Sequence, residues 1–178
     1  MSGVTHDELI EHAAKWLQTK NCVVVITDMT HKHPETPDAI GWNQNRSILI
    51  EVKVSRADFL RDKKKGFRKN PALGMGDERL FLVPEGLVKT EELPEGWGLL
   101  EYRKPKGRQR KPRVVAVKGG GSWAPTQRHK PNLRAEQSLL ISALRRTAQN
   151  CPKGISVRVY TFETQNRATL GVKPSEEQ

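Results

Sequence analysis

The chain has 178 residues, 35% of them apolar and 29% charged, which suits one polar globular domain with a single core. Lys and Arg outnumber Asp and Glu by 31 to 20, a formal charge of +11, which points to a polyanionic partner, above all nucleic acid. A ribosome-like or merely soluble basic protein carries the same signature. Cys22 and Cys151 stand far apart and form no CxxC pair, which argues against a disulfide scaffold or a thiolate zinc site. No apolar stretch approaches the ~18–20 residues of a membrane helix, and no basic-then-apolar signal opens the chain. The expectation is a soluble protein of a reducing cytoplasm with no membrane partner.

In chain order, residues 5–20 read as an amphipathic helix, with Leu9, Ile10, Ala13, Trp16 and Leu17 at helical spacing and a capping-box pattern in Thr5 and Glu8. Residues 22–27 form a short β-branched run, a buried strand opened by a buried Cys22. Residues 38–42 and 46–55 read as two strands joined by the polar turn Asn43-Gln44-Asn45, hence an antiparallel hairpin. A charged helix follows over 55–65, with Ser55 and Asp58 in a cap pattern. Residues 71–77 are a glycine-containing loop. Strands are expected at 79–83, 97–102 and 113–117. The Lys/Arg/Pro-dense stretch 103–113 is either a long hairpin tip or a mobile basic loop.

The remainder divides into a Gly/Pro linker (119–131), a helix over 132–149 with Leu133, Leu140 and Leu144 on one side, a final strand at 155–162, and a polar tail from 164. The domain organisation is therefore a core of 1–118 that includes the basic loop, the linker, a C-terminal helix and strand over 132–163, and the tail 164–178. The order of elements specifies an α/β or α+β fold around one mixed sheet flanked by helices.

The strand at 46–55 carries the chemistry. Side chains alternate faces along a strand. Ile48, Ile50, Val52 and Val54 therefore share a core face, and Glu51, Lys53 and Ser55 end the other. Glu51 and Lys53 lie ~6–7 Å apart by strand rise. An acid and a lysine at the end of an apolar strand are costly unless something pairs with them. The hairpin brings Asp38, just after Pro37, towards them. Two carboxylates beside an ammonium suit a hard cation such as Mg²⁺, which polarises a phosphodiester and activates water. Lys53 then orients or helps deprotonate that water, or stabilises the charge of the phosphorane.

Pro37-Asp38 followed by Glu51-Val52-Lys53 at a strand end resembles the PD-(D/E)xK nuclease superfamily, the restriction-endonuclease-like fold. The matching order, α-β-β-β-α-β, runs from about residue 5 to 83. The resemblance implies a DNA nuclease dependent on Mg²⁺ or Mn²⁺, with Asp38 and Glu51 as metal ligands and Lys53 assisting hydrolysis. Some members add an acid from the first helix, for which Glu8 is the candidate. The run EVKVSRADFLRDKKKGFRK, with GMGDERLFLVPEGL after it, is similar to small bacterial and phage nuclease-like proteins, among them the MmcB-like DNA repair group. This implies a bacterial or phage-encoded protein of the host cytoplasm. Many nucleases of the superfamily cut duplexes as homodimers, and nothing here marks a dimer face.

Each neighbouring feature has two readings. Glu8 closes a capping box or reaches the metal. Ser55 and Asp58 read as caps. Arg56, Arg61, Lys63, Lys64, Lys65, Arg68 and Lys69 form a solvated face or a phosphate-binding one, and Arg108, Arg110 and Lys111 offer a second basic patch. His31-Lys32-His33 lacks a third ligand for zinc. Gly74-Met75-Gly76 reads as a turn rather than a phosphate loop. Trp42 is the tryptophan placed to stack on DNA. The competing functional readings are a catalytically silent module that grips nucleic acid or a partner protein on the same fold, and a basic protein that matches the motif by chance.

Overall fold

Helix α1 (His6–Thr19) begins at a closed capping box. The Glu8 N–H donates to Thr5 Oγ1 at 3.2 Å and the Thr5 N–H to Glu8 Oε2 at 2.8 Å. Its apolar stripe buries Leu9, Ile10, Ala13, Ala14, Trp16 and Leu17. The computed structural model describes residues 3–29, 35–62, 65–66, 70–108, 110–120, 128–148 and 156–159, with backbone alone for 147–148 and 156–159.

After α1 come β1 (Val24–Thr27), β2 (Ala39–Trp42), β3 (Ser47–Val52), helix α2 (Arg56–Asp62), β4 (Glu78–Pro84), β5 (Trp97–Arg103), β6 (Arg113–Lys118), helix α3 (Leu133–Ala148) and β7 (Ser156–Val159). Among the described residues these strands form one mixed sheet, in the order β6-β5-β4-β3-β2-β1-β7. Strands β3, β4 and β5 are parallel, and every other pair is antiparallel. The α/β architecture and the β2–β3 hairpin agree with the sequence expectation. So does the hairpin reading of the basic stretch, since β5 and β6 pair antiparallel on either side of it.

Two apolar layers cover the sheet. The α1 stripe packs on Val25, Ala39, Ile48, Ile50, Val52, Leu80, Leu82 and Leu100. The opposite layer joins Ile26, Ile40, Leu49, Phe81, Val83 and Leu99 to Phe59 of α2 and to Ala135, Leu139 and Ala143 of α3. Adjacent residues of β1 to β5 alternate between layers, as strand pleating requires. Strand β3 is consequently buried on both faces along its whole length. The sequence reading gave it one core face; helices on both sides of a parallel sheet centre bury the second as well.

Helix α3 also departs from expectation. It buries Ala135, Glu136, Leu139 and Ala143, while Leu133 and Leu144 are each 68% exposed. The small Ala side chains allow the close approach to the sheet. Glu136 anchors that approach. Its carboxylate accepts from Trp42 Nε1 at 2.9 Å, Ser47 Oγ at 2.8 Å and the Gly76 N–H at 2.8 Å. Trp42 is thereby engaged in helix docking rather than presented for stacking. Gly76 has φ +84°, and a Cβ there would fall 2.7 Å from Leu49 Cβ, so glycine alone fits at this position.

Cys22 precedes β1 and is fully buried, with its thiol pushed up by burial to about 11. We expect Cys22 to resist iodoacetamide at neutral pH in the folded protein and to react as an ordinary thiol once denatured, because the thiolate is the nucleophile. Peptide mass spectrometry reads this directly. Equal labelling rates in the native and denatured states would contradict the packing.

Candidate active site

The β2–β3 register builds the site. Ala39 pairs with Ile50, so the next position outward sets Asp38 opposite Glu51. The Val52 N–H donates to Asp38 Oδ2 at 2.7 Å, fixing the carboxylate at the end of the sheet. Lys53 lies one residue beyond β3, yet its N–H donates to Leu82 O of β4 at 3.1 Å. That bond extends the ladder and keeps Lys53 on the Glu51 face.

Lys53 Nζ stands 2.9 Å from Glu51 Oε2, 3.6 Å from Asp38 Oδ2 and 3.6 Å from Asp62 Oδ1. Two oxygens that close to one nitrogen cannot lie far from each other, so Asp38 and Glu51 converge. The cluster is secluded: Glu51 is 1% exposed, Asp62 2% and Lys53 4%. At its rim, Lys65 Nζ approaches Asp62 Oδ1 at 2.8 Å and Glu51 Oε2 at 3.8 Å.

Electrostatics set the charge states. Burial disfavours the Lys53 ammonium, but Glu51, Asp38 and Asp62 outweigh it and raise the group above its ordinary value. Lys53 therefore presents a cation at neutral pH rather than a proton acceptor. Burial also works to raise Asp38, but the His6 contact, the Lys53 charge and the Val52 amide outweigh it and hold the carboxyl below its usual value. His6 is in turn drawn up by Asp38, with Nε2 3.6 Å from Oδ1.

Three nearby groups were not singled out in the sequence. Asp62 carried a signal: it follows Phe59 by three residues, so a helix that buries Phe59 turns Asp62 towards the same side. His6 carried none, because its approach to Asp38 depends on how α1 crosses the sheet. Asp28 directly follows β1, and its N–H donates to Asp38 O at 3.2 Å. Burial, with help from Asp38, keeps its carboxyl above the ordinary value.

The remaining candidates divide. Glu8 is held in its capping box and is exposed, and the α1 residue that reaches Asp38 is His6. Arg56 is ion-paired with Glu92, and Arg61 lies 3.7 Å from Asp58. The Asp58 N–H donates to Ser55 Oγ at 3.2 Å, the expected cap. Arg108, Arg110 and Lys111 are exposed on the β5–β6 loop. Lys63, Lys64, Arg68, Lys69, His31, Lys32 and His33 lie outside the described residues.

Among the described residues no three His, Cys, Asp or Glu side chains gather into a metal site of their own. The donors that Asp38 and Glu51 offer are hard oxygens. Such a pair fits Mg²⁺ or Mn²⁺, which bind through one or two carboxylates and keep several waters.

Among solved structures, the chain is similar to SPO1766, a protein of unknown function from Silicibacter pomeroyi, with a TM-score of 0.53 and 24% identity over 86% of this chain and 97% of that one. The likeness is one of fold. No family model matches the sequence, and no curated protein does. Among the described residues no helix is long and apolar enough to cross a membrane.

Proposed function

We propose that the chain is a divalent-metal-dependent nuclease of the PD-(D/E)xK class, with a restriction-endonuclease-like core, that hydrolyses phosphodiester bonds in DNA. One observation carries the reading: Asp38 and Glu51, opposite each other on adjacent strands, both turn an oxygen to the Lys53 ammonium. Asp38 and Glu51 would hold Mg²⁺ or Mn²⁺. When bound, the metal would polarise the phosphoryl group and lower the pKa of a water. The chain's own residues do the rest. Lys53 places a fixed positive charge where negative charge develops on the phosphoryl oxygens. The Val52 amide and His6 orient Asp38. Lys65, at the rim, meets the incoming phosphate backbone before Lys53 does. The basic loop between β5 and β6 extends that attraction along the strand.

The test is cleavage of supercoiled plasmid and circular single-stranded DNA with Mg²⁺ or Mn²⁺, beside a chelated control and Asp38→Asn. Cleavage should require the metal and fall about 10²-fold or more in the variant, the scale at which electrostatic machinery acts. Activity that survives both chelation and the substitution would overturn the assignment.

A second reading is a catalytically silent module that grips nucleic acid or a protein. The 2.9 Å Lys53–Glu51 contact favours it, since the ammonium already occupies the Glu51 oxygen that a metal would need. DNA binding with no cleavage under any divalent metal would select this reading.

A further inference from the structure

We propose that a cleft backing on the candidate active site holds an unpaired nucleobase, so that the substrate is single-stranded at the nucleotide beside the scissile phosphate. This rests on the nuclease reading and specifies its substrate. The cleft has a volume of about 420 Å³, with Val4, Val54 and Tyr102 among its walls and Glu85, Lys104 and Lys106 also lining it. That size falls within the ~300–1,000 Å³ of small-molecule sites. Its floor is the carboxyl end of the parallel strands, where α/β sheets place their ligands.

The cleft and the acidic cluster adjoin along two pieces of chain, the segment before α1 and the end of β3. Val54 directly follows Lys53, roughly 3.3 Å along the backbone, and alternation sends the two side chains to opposite faces. Val4 stands two residues before His6, which touches Asp38. A polynucleotide crossing this end of the sheet can lay a phosphate at Lys53 and its adjoining base against Val4, Val54 and Tyr102.

The chemistry of the walls suits that occupant. A base presents flat apolar faces, and stacking on an aromatic ring tolerates any of the four. Tyr102 rests against His12, with ring centroids 4.9 Å apart, which holds its ring in place. Lys104 and Lys106 are exposed side chains lining the cleft, as is Glu85, which pairs with Lys106 at 2.7 Å and would exchange that contact for a flanking phosphate. A base inside a duplex is paired and stacked and cannot enter without being extruded.

The test separates base from backbone. Fluorescence anisotropy is measured with a fluorescein-labelled dT12 and with an abasic strand of the same length, in chelator so that nothing is cut. The wild type should bind dT12 at least tenfold more tightly than the abasic strand. Val4→Trp, which fills the cleft, and Tyr102→Leu, which removes the ring, should each bring dT12 down to the abasic level and leave abasic binding unchanged. Circular dichroism melts report whether both variants fold, which matters because Val4 and Tyr102 both pack against the core. Equal affinity for the two strands, no measurable binding of dT12, or parallel losses for both strands in the variants would overturn the proposal. Cleavage assayed separately keeps the two readings apart. Metal-dependent cutting without base preference removes this inference alone, and base preference without cutting removes the nuclease assignment.

Discussion

Lys53→Met should lower metal-dependent cleavage by about 10²–10³-fold, the loss seen when a single electrostatic stabiliser is removed from a phosphoryl or acyl transition state. Methionine keeps much of the volume and removes the charge. Because Lys53 sits among three carboxylates, the substitution also tests what holds the site together. Removing one member of a buried ion cluster costs ~3–5 kcal/mol, since the remaining charges lose their partner. A divalent cation can replace the lost positive charge. Mg²⁺ should therefore raise the melting temperature of Lys53→Met more than that of the wild type. Lys53→Arg should retain stability but recover little cleavage, because a planar guanidinium does not reproduce the point charge.

The pH dependence follows from the directions of the shifts. Lys53 is raised in the folded state, so its stabilisation is complete below its ordinary value and disappears only as pH climbs through the raised one. Asp38 is lowered, so its contribution is present above the ordinary carboxylate value and is lost as pH falls through the depressed one. The stability difference between wild type and Lys53→Met should accordingly be flat across neutral pH, as followed by urea unfolding. Wild-type cleavage by the variant would remove Lys53 from the mechanism.

Arg79→Met should be the most damaging substitution outside the site. Arg79 is 1% exposed, and its guanidinium donates to Gly76 O at 3.1 Å, Gly74 O at 2.8 Å and Pro71 O at 2.9 Å. It thereby closes the loop between α2 and β4. The Asn132 N–H donates to the same Gly74 carbonyl at 2.9 Å, so α3 is seated on that loop as well. Losing three hydrogen bonds from a charged donor costs ~1.5–3 kcal/mol each, and part of this is recovered because Gly74 O keeps the Asn132 N–H and Pro71 O keeps the Gly74 N–H. We expect a total loss of roughly 3–5 kcal/mol and a fall in melting temperature of roughly 6–20 °C. Arg79→Lys should not rescue, because an ammonium cannot span three carbonyls as the planar fork does. A loss under about 1 kcal/mol in denaturant titration would show that the loop stands without this side chain.

The parts of this molecule legible in the sequence are those decided by short-range geometry. The Thr5–Glu8 capping box closes within one helical turn. Strand alternation puts Glu51 and Lys53 on one face, and a short polar turn sets the hairpin that brings Asp38 opposite Glu51. These depend on neighbours a few residues away, and the chain encodes them locally.

The tertiary structure decided what depends on how elements cross. It selected His6 rather than Glu8 to meet Asp38, because α1 lies over the sheet with its first residue at the strand ends. It turned Asp62 into the cluster once Phe59 was buried. It chose the Ala135–Leu139–Ala143 stripe of α3 over the more apolar Leu133 and Leu144, since the buried Glu136 needed Trp42, Ser47 and Gly76 to satisfy it. It also drew Arg79, which opens an apolar run in the sequence, beneath a loop whose carbonyls it satisfies. Buried polar groups must find partners wherever the fold supplies them. Those partners lie up to 94 residues apart, a separation no local pattern encodes.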